Sequence, residues 1–140
     1  MGVLAIEMFE HEGRLMANEM APRVHNSGHW TIEGAVTSQF ENHLRAVTGL
    51  PLGSTATIGC SAMINLIGEL PETRDVLQVA DAHLHLYGKT PRPGRKLGHV
   101  TVHAANAQNL AARIAELPAF FRRPEFCLSE STRGRTVVPA

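Results

Sequence analysis

The chain has 140 residues and a mass of 15.2 kDa, which suits one domain or two small lobes with a hydrophobic core. With 44% apolar residues, 19% charged residues and no run of ~20 apolar residues, neither an intrinsically disordered nor a membrane-spanning protein is expected. The net charge of zero hides an asymmetry, because the first 70 residues hold three arginines and seven carboxylates, whereas the rest hold ten basic and six acidic groups.

The chain opens with residues 3–9, an apolar segment that predicts a β-strand buried on both faces. A polar turn around Gly13 follows, and residues 14–20 predict a second strand, so that the two form a β-hairpin. Pro22 ends this pairing and introduces a polar loop, residues 23–29.

From Trp30 onward, apolar residues recur every three or four positions, as in a helix, until Gly49 and Pro51 end the pattern. Ser38 and Glu41 form a capping-box pattern inside this stretch. Two short helices are therefore expected instead of one.

The second half predicts a strand over residues 61–67 and a hairpin formed by residues 83–87 and 98–103. His or Thr alternates with aliphatic residues in this hairpin, which indicates half-exposed strands. A capped helix within residues 106–118 follows. Together these patterns predict an α+β fold in two parts, with the boundary within residues 51–59.

Two glutamates stand inside the first two predicted strands, where a desolvated carboxylate is costly unless it is paired or metal-bound. Glu7 and Glu19 each lie six residues from Gly13, so a turn centred there makes them cross-strand partners. Together with the Asn18 amide oxygen they are hard ligands of the kind that suits Mg²⁺ holding phosphates. A turn shifted by one residue would instead oppose Glu7 to Asn18, and two solvent-exposed glutamates remain the alternative.

The loop of residues 23–29 is the first of two candidate anion sites. It contains Arg23, His25, Asn26 and Ser27 and leads into a predicted helix. Backbone N–H groups at a helix N-terminus and an arginine fork can together hold an oxyanion or a phosphate. An ordinary loop that caps the helix is the competing interpretation.

The second candidate anion site is the loop of residues 87–96, which has four cations among two prolines and two glycines. Lys89 and Arg95 are its candidate ligands for a phosphate or another anionic group. A solvated hairpin tip is the alternative. Because aromatic residues are not interleaved with these cations, single-stranded nucleic acid is not an expected partner.

Two histidines on each strand of the second hairpin could build a zinc site, although half-exposed strand histidines are common: His83, His85, His99 and His103. Cys60 has no neighbouring base or cation in sequence that would activate its thiol. Cys60 and Cys127 also make a poor disulfide framework, and the start of the chain does not have the pattern of a secretory signal. A reduced, cytoplasmic setting without a membrane partner is therefore expected.

Residues 18–30, NEMAPRVHNSGHW, resemble the signature of the N5-carboxyaminoimidazole ribonucleotide synthases, a family of ATP-grasp ligases. The similarity continues through residues 38–46, 63–68, 83–89 and 92–99. It covers residues 2–117 in unbroken order.

This resemblance implies the C-terminal half of an ATP-grasp fold followed by a small domain of a β-hairpin and a helix. Residues 1–56 would be the C-terminal part of the ATP-grasp domain and residues 57–120 the small C-terminal domain. Residues 121–140 are expected to form a flexible tail.

The implied activity is that of a ligase of de novo purine biosynthesis that uses ATP, Mg²⁺ and bicarbonate. Bicarbonate attacks the γ-phosphoryl group to give carboxyphosphate, which carboxylates the 5-amino group of aminoimidazole ribonucleotide, with release of ADP and phosphate. A non-enzymatic anion- or nucleotide-binding fragment and another ATP-grasp carboxylase are the alternatives.

The resemblance also implies roles for individual residues. Glu7 and Glu19 would bind the Mg²⁺ that bridges the ATP phosphates, with Asn18 beside them at the nucleotide. Arg23 and His25 would be catalytic and hold bicarbonate or carboxyphosphate. The remaining candidates would contact the ribonucleotide substrate: Asn26, Ser27, Lys89 and Arg95.

The family's chains are normally more than twice as long as this one. The N-terminal domain and the part of the ATP-grasp domain that covers the adenine are therefore expected to be missing. An exposed apolar hairpin would follow, and with it a homodimer or a requirement for the missing segment. The 140 residues alone are expected to be inactive.

Overall fold

A computed structural model describes residues 1–122 and 128–130 of the chain. The chain divides into two compact units, Met1–Ala56 and Thr57–Ala140. Each unit combines an antiparallel sheet with helices, so the predicted α+β class is confirmed. Among the described residues, no helix has the length and apolar character needed to cross a bilayer.

The first unit opens with a two-stranded antiparallel sheet, β1 (Ala5–His11) and β2 (Arg14–Ala21). Glu12 and Gly13 connect the strands with φ values of 50° and 75°. Two consecutive residues at positive φ are typical of a type I′ turn, which matches the twist of a hairpin. The predicted hairpin is confirmed, but its turn lies between residues 12 and 13.

The expectation that the first strand is buried on both faces is wrong. The face of β1 and β2 that alternates with the glutamates exposes four large apolar side chains by half or more: Ile6 57%, Met8 50%, Leu15 70% and Met20 68%. A two-stranded sheet buries a face only when another layer covers it. The sequence pattern reports the apolar face correctly, but the burial requires a layer that the described residues do not supply.

Two short helices follow in the first unit, α1 (Thr31–Gly34) and α2 (Gln39–Val47). The predicted break between them is confirmed, since Ser38 caps α2 and its hydroxyl accepts a hydrogen bond of 3.2 Å from the Glu41 N–H. Gly49 follows α2 with a φ of 74°, a conformation that glycine adopts without strain.

The second unit is a four-stranded antiparallel sheet in the order β4-β5-β3-β6. Its strands are β3 (Cys60–Ile67), β4 (Ala82–Leu86), β5 (Lys96–Ala104) and β6 (Leu128–Glu130). Two helices accompany the sheet, α3 (Thr73–Leu77) and α4 (Ala107–Glu116). Its core consists largely of aliphatic side chains from β3, β5 and both helices, among them Ile64, Leu66, Val76, Val100, Val102 and Leu110.

One expectation for the second unit needs correction. β5 is not half-exposed, because it lies between β4 and β3 and is buried along most of its length. The helix α3 and the strand β6 were not predicted from the sequence. Within the segment expected to form a tail, Phe121 is 9% exposed in the core and β6 pairs with β3. The rest of that tail, including Cys127, lies outside the described residues.

Candidate functional site

Glu7 and Glu19 are cross-strand partners in the β1–β2 ladder. The strands pair residue for residue from the turn to Met8 and Ala17, and the register then shifts by one, which leaves Asn18 as the extra residue of a β-bulge. The shift brings Glu19, and not Asn18, opposite Glu7. The predicted pairing is therefore present, although the turn is not centred on Gly13.

The bulge also brings the side chain of Asn18 to the pair. Its amide Nδ2 donates a hydrogen bond of 2.7 Å to Oε1 of Glu7. Asn18 and Glu19, which are adjacent in β2, therefore both lie at Glu7 of β1. In a regular strand adjacent side chains would point to opposite faces. The amide stabilises the Glu7 carboxylate, which lies opposite the negative charge of Glu19.

His25 joins the two glutamates from the loop that follows β2. Its side chain is buried, and its Nε2 lies 2.7 Å from Oε1 of Glu19 and 3.9 Å from Oε2 of Glu7. The other ring nitrogen, Nδ1, lies 2.8 Å from the Ser27 hydroxyl and accepts from the Ser27 N–H at 3.3 Å. Contacts at both nitrogens fix the plane of the ring, so the imidazole edge points at the carboxylates.

The loop that contains His25 is held by one side chain at the start of α2. Gln39 accepts from the His25 N–H at 3.1 Å and donates to the His25 carbonyl at 2.7 Å, in the manner of a neighbouring β-strand. The same amide Nε2 lies 2.8 Å from Nδ1 of His29. Thr31 adds a second link, since its hydroxyl donates to the Gly28 carbonyl and accepts from the Gln39 N–H.

The three side chains together form a candidate cation site. Glu7, Glu19 and His25 each offer one ligand atom, and these atoms all lie within 4.8 Å of one another. Carboxylate oxygens are the ligands that Mg²⁺ prefers, and a site with two of them fits that ion. Glu7 and Glu19 are partly open to solvent, which leaves room for water or phosphate ligands beside them.

The other candidate residues of this loop differ in their surroundings. Arg23 is exposed, and its guanidinium donates to the neighbouring Val24 carbonyl at 3.0 Å. Asn26 starts a short 3₁₀ turn, and its Oδ1 is buried without a hydrogen-bond partner. Buried polar atoms are normally paired, so this oxygen is suited to a ligand or water. The hydroxyl of Ser27 is hydrogen-bonded to Nδ1 of His25.

Lys89 and Arg95 belong to the second unit. The ammonium of Lys89 lies 5.2 Å from the centre of the Tyr87 ring, a cation–π distance, and the Tyr87 hydroxyl lies 2.7 Å from Nδ1 of His99. Burial raises the pKa of the Tyr87 phenol above its usual value. Arg95 is partly buried, and its guanidinium is 3.5 Å from the Thr90 carbonyl.

The histidines of the second hairpin do not build the alternative zinc site. The rings of His85 and His99 stack at a centroid distance of 4.4 Å with an interplanar angle of 12°. His103 is turned to the Ser61 hydroxyl at 3.1 Å. Among the described residues, the group of three convergent ligands is that of Glu7, Glu19 and His25 in the first unit.

Comparison with known proteins identifies the family. Residues 1–40 match the ATP-grasp domain, and residues 61–113 match the phosphoribosylaminoimidazole carboxylase C-terminal domain. The N5-carboxyaminoimidazole ribonucleotide synthase of Pseudomonas aeruginosa is 65% identical over 118 residues, which are 84% of this chain and 33% of that protein. The chain belongs to the N5-carboxyaminoimidazole ribonucleotide synthase family. It spans about a third of the length of the curated relatives that it matches.

Solved structures of N5-carboxyaminoimidazole ribonucleotide synthases have the same fold. The Thermus thermophilus enzyme is 64% identical with a TM-score of 0.78, over 82% of this chain and 32% of that one. A structure from Aspergillus clavatus, in complex with ADP and 5-aminoimidazole ribonucleotide, is 40% identical with a TM-score of 0.73, over 81% of this chain and 33% of that one. These similarities confirm both the predicted family and the ATP-grasp fold.

Sequence reasoning missed the residues that hold the site residues in place. Gln39 looked like an ordinary first residue of a helix, and the signal that could have revealed it was its position directly after the capping Ser38. His99 was considered only as a candidate zinc ligand and Tyr87 only as the first residue of the cationic loop, so their contact with each other was not foreseen. Their spacing of twelve positions across a hairpin does not by itself reveal a hydrogen bond.

Proposed function

We propose that this chain is the carboxy-terminal part of an ATP-dependent ligase that carboxylates the 5-amino group of aminoimidazole ribonucleotide. The convergence of Glu7, Glu19 and the buried His25 is the observation that carries this proposal, because it supplies a cation site beside a polar loop. Membership of the synthase family supports it further. We place the active enzyme in the cytoplasm, as expected for nucleotide synthesis.

The reaction has two steps that this site can serve. An oxygen of bicarbonate attacks the γ-phosphorus of ATP, the bond to ADP breaks, and carboxyphosphate forms. The 5-amino nitrogen then bonds to the carboxyl carbon, the carbon–oxygen bond to phosphate breaks, and the amine loses a proton. In both steps the negatively charged phosphoryl and carboxyl oxygens must be held in position while one bond forms and another breaks.

Glu7 and Glu19 would hold Mg²⁺, with Asn18 fixing the Glu7 carboxylate and contacting the nucleotide side of the site. The ion would neutralise charge on the transferred phosphoryl group. The ATP-grasp match and the nucleotide complexes of the relatives support ATP as the phosphoryl donor.

Arg23 and His25 would hold bicarbonate and carboxyphosphate. His25 is fixed by Ser27 and Glu19, so its imidazole edge is preorganised, and the exposed guanidinium of Arg23 offers a planar fork for an anionic carboxylate. The buried Oδ1 of Asn26 is an acceptor for a substrate N–H or hydroxyl. Ser27, Lys89 and Arg95 complete the proposed substrate contacts.

A chimaera tests this function directly. This chain's residues would replace the matching third of the Pseudomonas aeruginosa relative, and the release of ADP would be measured with and without bicarbonate and aminoimidazole ribonucleotide. We expect turnover that needs both substrates. In the chimaera, Glu19→Gln should lower turnover by two orders of magnitude or more, whereas Glu41→Gln, on the exposed face of α2, should not change it.

A second candidate is a non-enzymatic anion- or nucleotide-binding module, because the cluster of Glu7, Glu19 and His25 beside the polar loop could bind such a ligand without turning it over. The same chimaera separates the two. An inactive chimaera that still binds Mg·ADP would support the binding module and contradict the ligase proposal. A rate of ADP release that needs bicarbonate but is the same with and without aminoimidazole ribonucleotide would instead indicate another ATP-grasp carboxylase.

A further inference from the structure

Four side chains of the second unit form a continuous stack that ends at Lys89. The Lys89 ammonium lies over the Tyr87 ring, the Tyr87 hydroxyl meets Nδ1 of His99 at 2.7 Å, and the His99 ring is stacked on His85. The proposed reaction chemistry uses only Lys89 from this group. The other three therefore need an explanation of their own.

The inner end of the stack is rigid. His99 lies in the middle of β5, is 2% exposed and pairs in register with Asn65 of β3 and His85 of β4. Tyr87 directly follows β4, and its N–H still donates to the Leu97 carbonyl at 2.9 Å, so its backbone continues the ladder. Both rings are therefore fixed by the sheet.

The outer end of the stack lies outside the β-ladder. Lys89 is exposed and follows Gly88, whose φ of 65° marks a turn out of the ladder. A lysine side chain has four rotatable methylene bonds and loses considerable entropy when it is held in one place. A cation placed by nothing but such a loop would sample many positions.

The hydrogen bond to His99 strengthens the contact with Lys89. In the His99 tautomer that carries its proton on Nε2, Nδ1 is an acceptor and the Tyr87 hydroxyl is the donor of this hydrogen bond. Donation polarises the O–H group toward oxygen and enriches the ring in electrons, which favours a cation on its face. A phenol carries its proton at neutral pH, and burial raises the pKa of Tyr87 further above that range.

We propose that Tyr87 and His99 are positioning residues that hold the Lys89 ammonium in one place for an anionic group of the substrate. The proposal rests on the proposed function in one respect, since Lys89 is there a ligand of the ribonucleotide. The ligand class is a phosphate or carboxylate, because an ammonium with three donors recognises oxygen anions.

The chain offers an internal control, because Lys89 and Lys96 are its two lysines. A sample of the 140-residue chain with ¹³C at the lysine ε-carbons should give two NMR signals. We expect the Lys89 ε-protons to be shifted upfield by the Tyr87 ring current, and inorganic phosphate to move that signal in a saturable way. The Lys96 signal identifies any effect that is not specific to the stack.

Three substitutions separate the ring from its hydrogen bond. Tyr87→Leu removes the ring and should abolish the upfield shift. Tyr87→Phe keeps the ring but loses the bond to His99, so the shift should shrink and the phosphate dissociation constant should rise about two- to fivefold. His99→Asn retains an acceptor near the position of Nδ1. This variant should therefore keep most of the upfield shift of Lys89 and most of its phosphate affinity.

Three results would overturn the proposal: a Lys89 signal at the same position in the wild type and in Tyr87→Leu, a Lys89 signal that phosphate does not move, or equal phosphate affinity in the wild type and Tyr87→Phe. Far-ultraviolet circular dichroism identifies variants that do not fold, and Tyr87→Phe, which removes one oxygen atom, remains informative if His99→Asn unfolds. None of these readouts needs turnover, so this inference and the ligase proposal can fail separately.

Discussion

Glu7 and Glu19 face each other across the first hairpin only because β2 contains one extra residue, Asn18. The two-residue turn at positions 12 and 13 taken alone would set Glu7 against Asn18 and direct Glu19 to the opposite face. The bulge corrects the register at the point where the cation site is built, and bulges commonly serve to redirect side chains in this way.

The first prediction concerns cation binding by this carboxylate pair. In the 140-residue chain, Glu19→Gln should weaken the binding of Mn²⁺, used in place of Mg²⁺, by about tenfold or more. This corresponds to ~1.4 kcal/mol of binding free energy and is measured by isothermal titration calorimetry. The substitution removes a charge but keeps an oxygen that can meet His25. Glu41→Gln, at an exposed ion pair with Arg45, is the matched control.

The same variant distinguishes a functional carboxylate from a structural one. Removing one of two like charges relieves their repulsion, so the free energy of unfolding of Glu19→Gln should change by less than about 1 kcal/mol. A loss of several kcal/mol in urea denaturation would show that Glu19 is needed for folding, and unchanged Mn²⁺ affinity would show that it is not a ligand.

The second prediction concerns Gln39, which holds the loop of His25. Gln39→Ala removes both hydrogen bonds to the His25 backbone and should lower the free energy of unfolding by about 1–3 kcal/mol. Gln39→Glu keeps an acceptor for the His25 N–H but sets a carboxylate oxygen against the His25 carbonyl, so a loss at least as large as that of Gln39→Ala is expected. Gln108→Ala, on the exposed side of α4, is the control and should change it by less than about 0.5 kcal/mol.

The loop itself should report the loss of Gln39. Trp30 is the one tryptophan of the chain and lies just after the loop, so its fluorescence follows the loop conformation. An emission spectrum that is unchanged in Gln39→Ala, with unchanged stability, would contradict the assigned role.

Local chemistry in the sequence predicted much of the fold. The capping-box pattern of Ser38 and Glu41 predicted the break between the first two helices, and Gly13 predicted the turn of the first hairpin. These features depend on residues a few positions apart, which is where sequence patterns are most informative.

Features that depend on distant parts of the chain were not predictable in the same way. The burial of His99 follows from the central position of β5, which is decided by strand order and not by alternation. Likewise, the sequence showed the apolar face at Ile6 and Met8 but not whether another layer covers it. The Glu7–Glu19 pair was predicted from a turn centred on Gly13, whereas the turn lies between residues 12 and 13, and the bulge at Asn18 restores the pairing.

The third prediction concerns the exposed apolar face of β1 and β2. Large contiguous apolar patches are rare on monomers, and a two-stranded sheet also has open edges, so concentration-dependent self-association is expected in sedimentation equilibrium. The double substitution Leu15→Lys and Met20→Lys should weaken that association about tenfold or more. Leu77→Lys, an exposed leucine of α3, is the control.

Two partners could bury the apolar face of β1 and β2: a second copy of this chain, or the part of a relative that this chain does not span. Mixing the chain with that part of a relative distinguishes between them. If that segment of the relative displaces the self-associated form, it is the layer that covers the apolar face, and if the homodimer persists, a second copy of the chain is. A chain that stays monomeric at every concentration, as wild type and as variant, would contradict the prediction.

The fourth prediction concerns the pH dependence that Tyr87 confers. Burial raises the pKa of its phenol in the folded chain above 10.0, whereas the unfolded chain should titrate near that value. As the pH rises past 10.0, the unfolded state releases the proton first, so the free energy of unfolding is unaffected below that pH and falls between it and the folded-state pKa. Tyr87 is the one tyrosine of the chain, so tyrosinate absorbance follows it without interference. A folded-state midpoint at or below that of the urea-unfolded chain would show that the phenol is not desolvated as described.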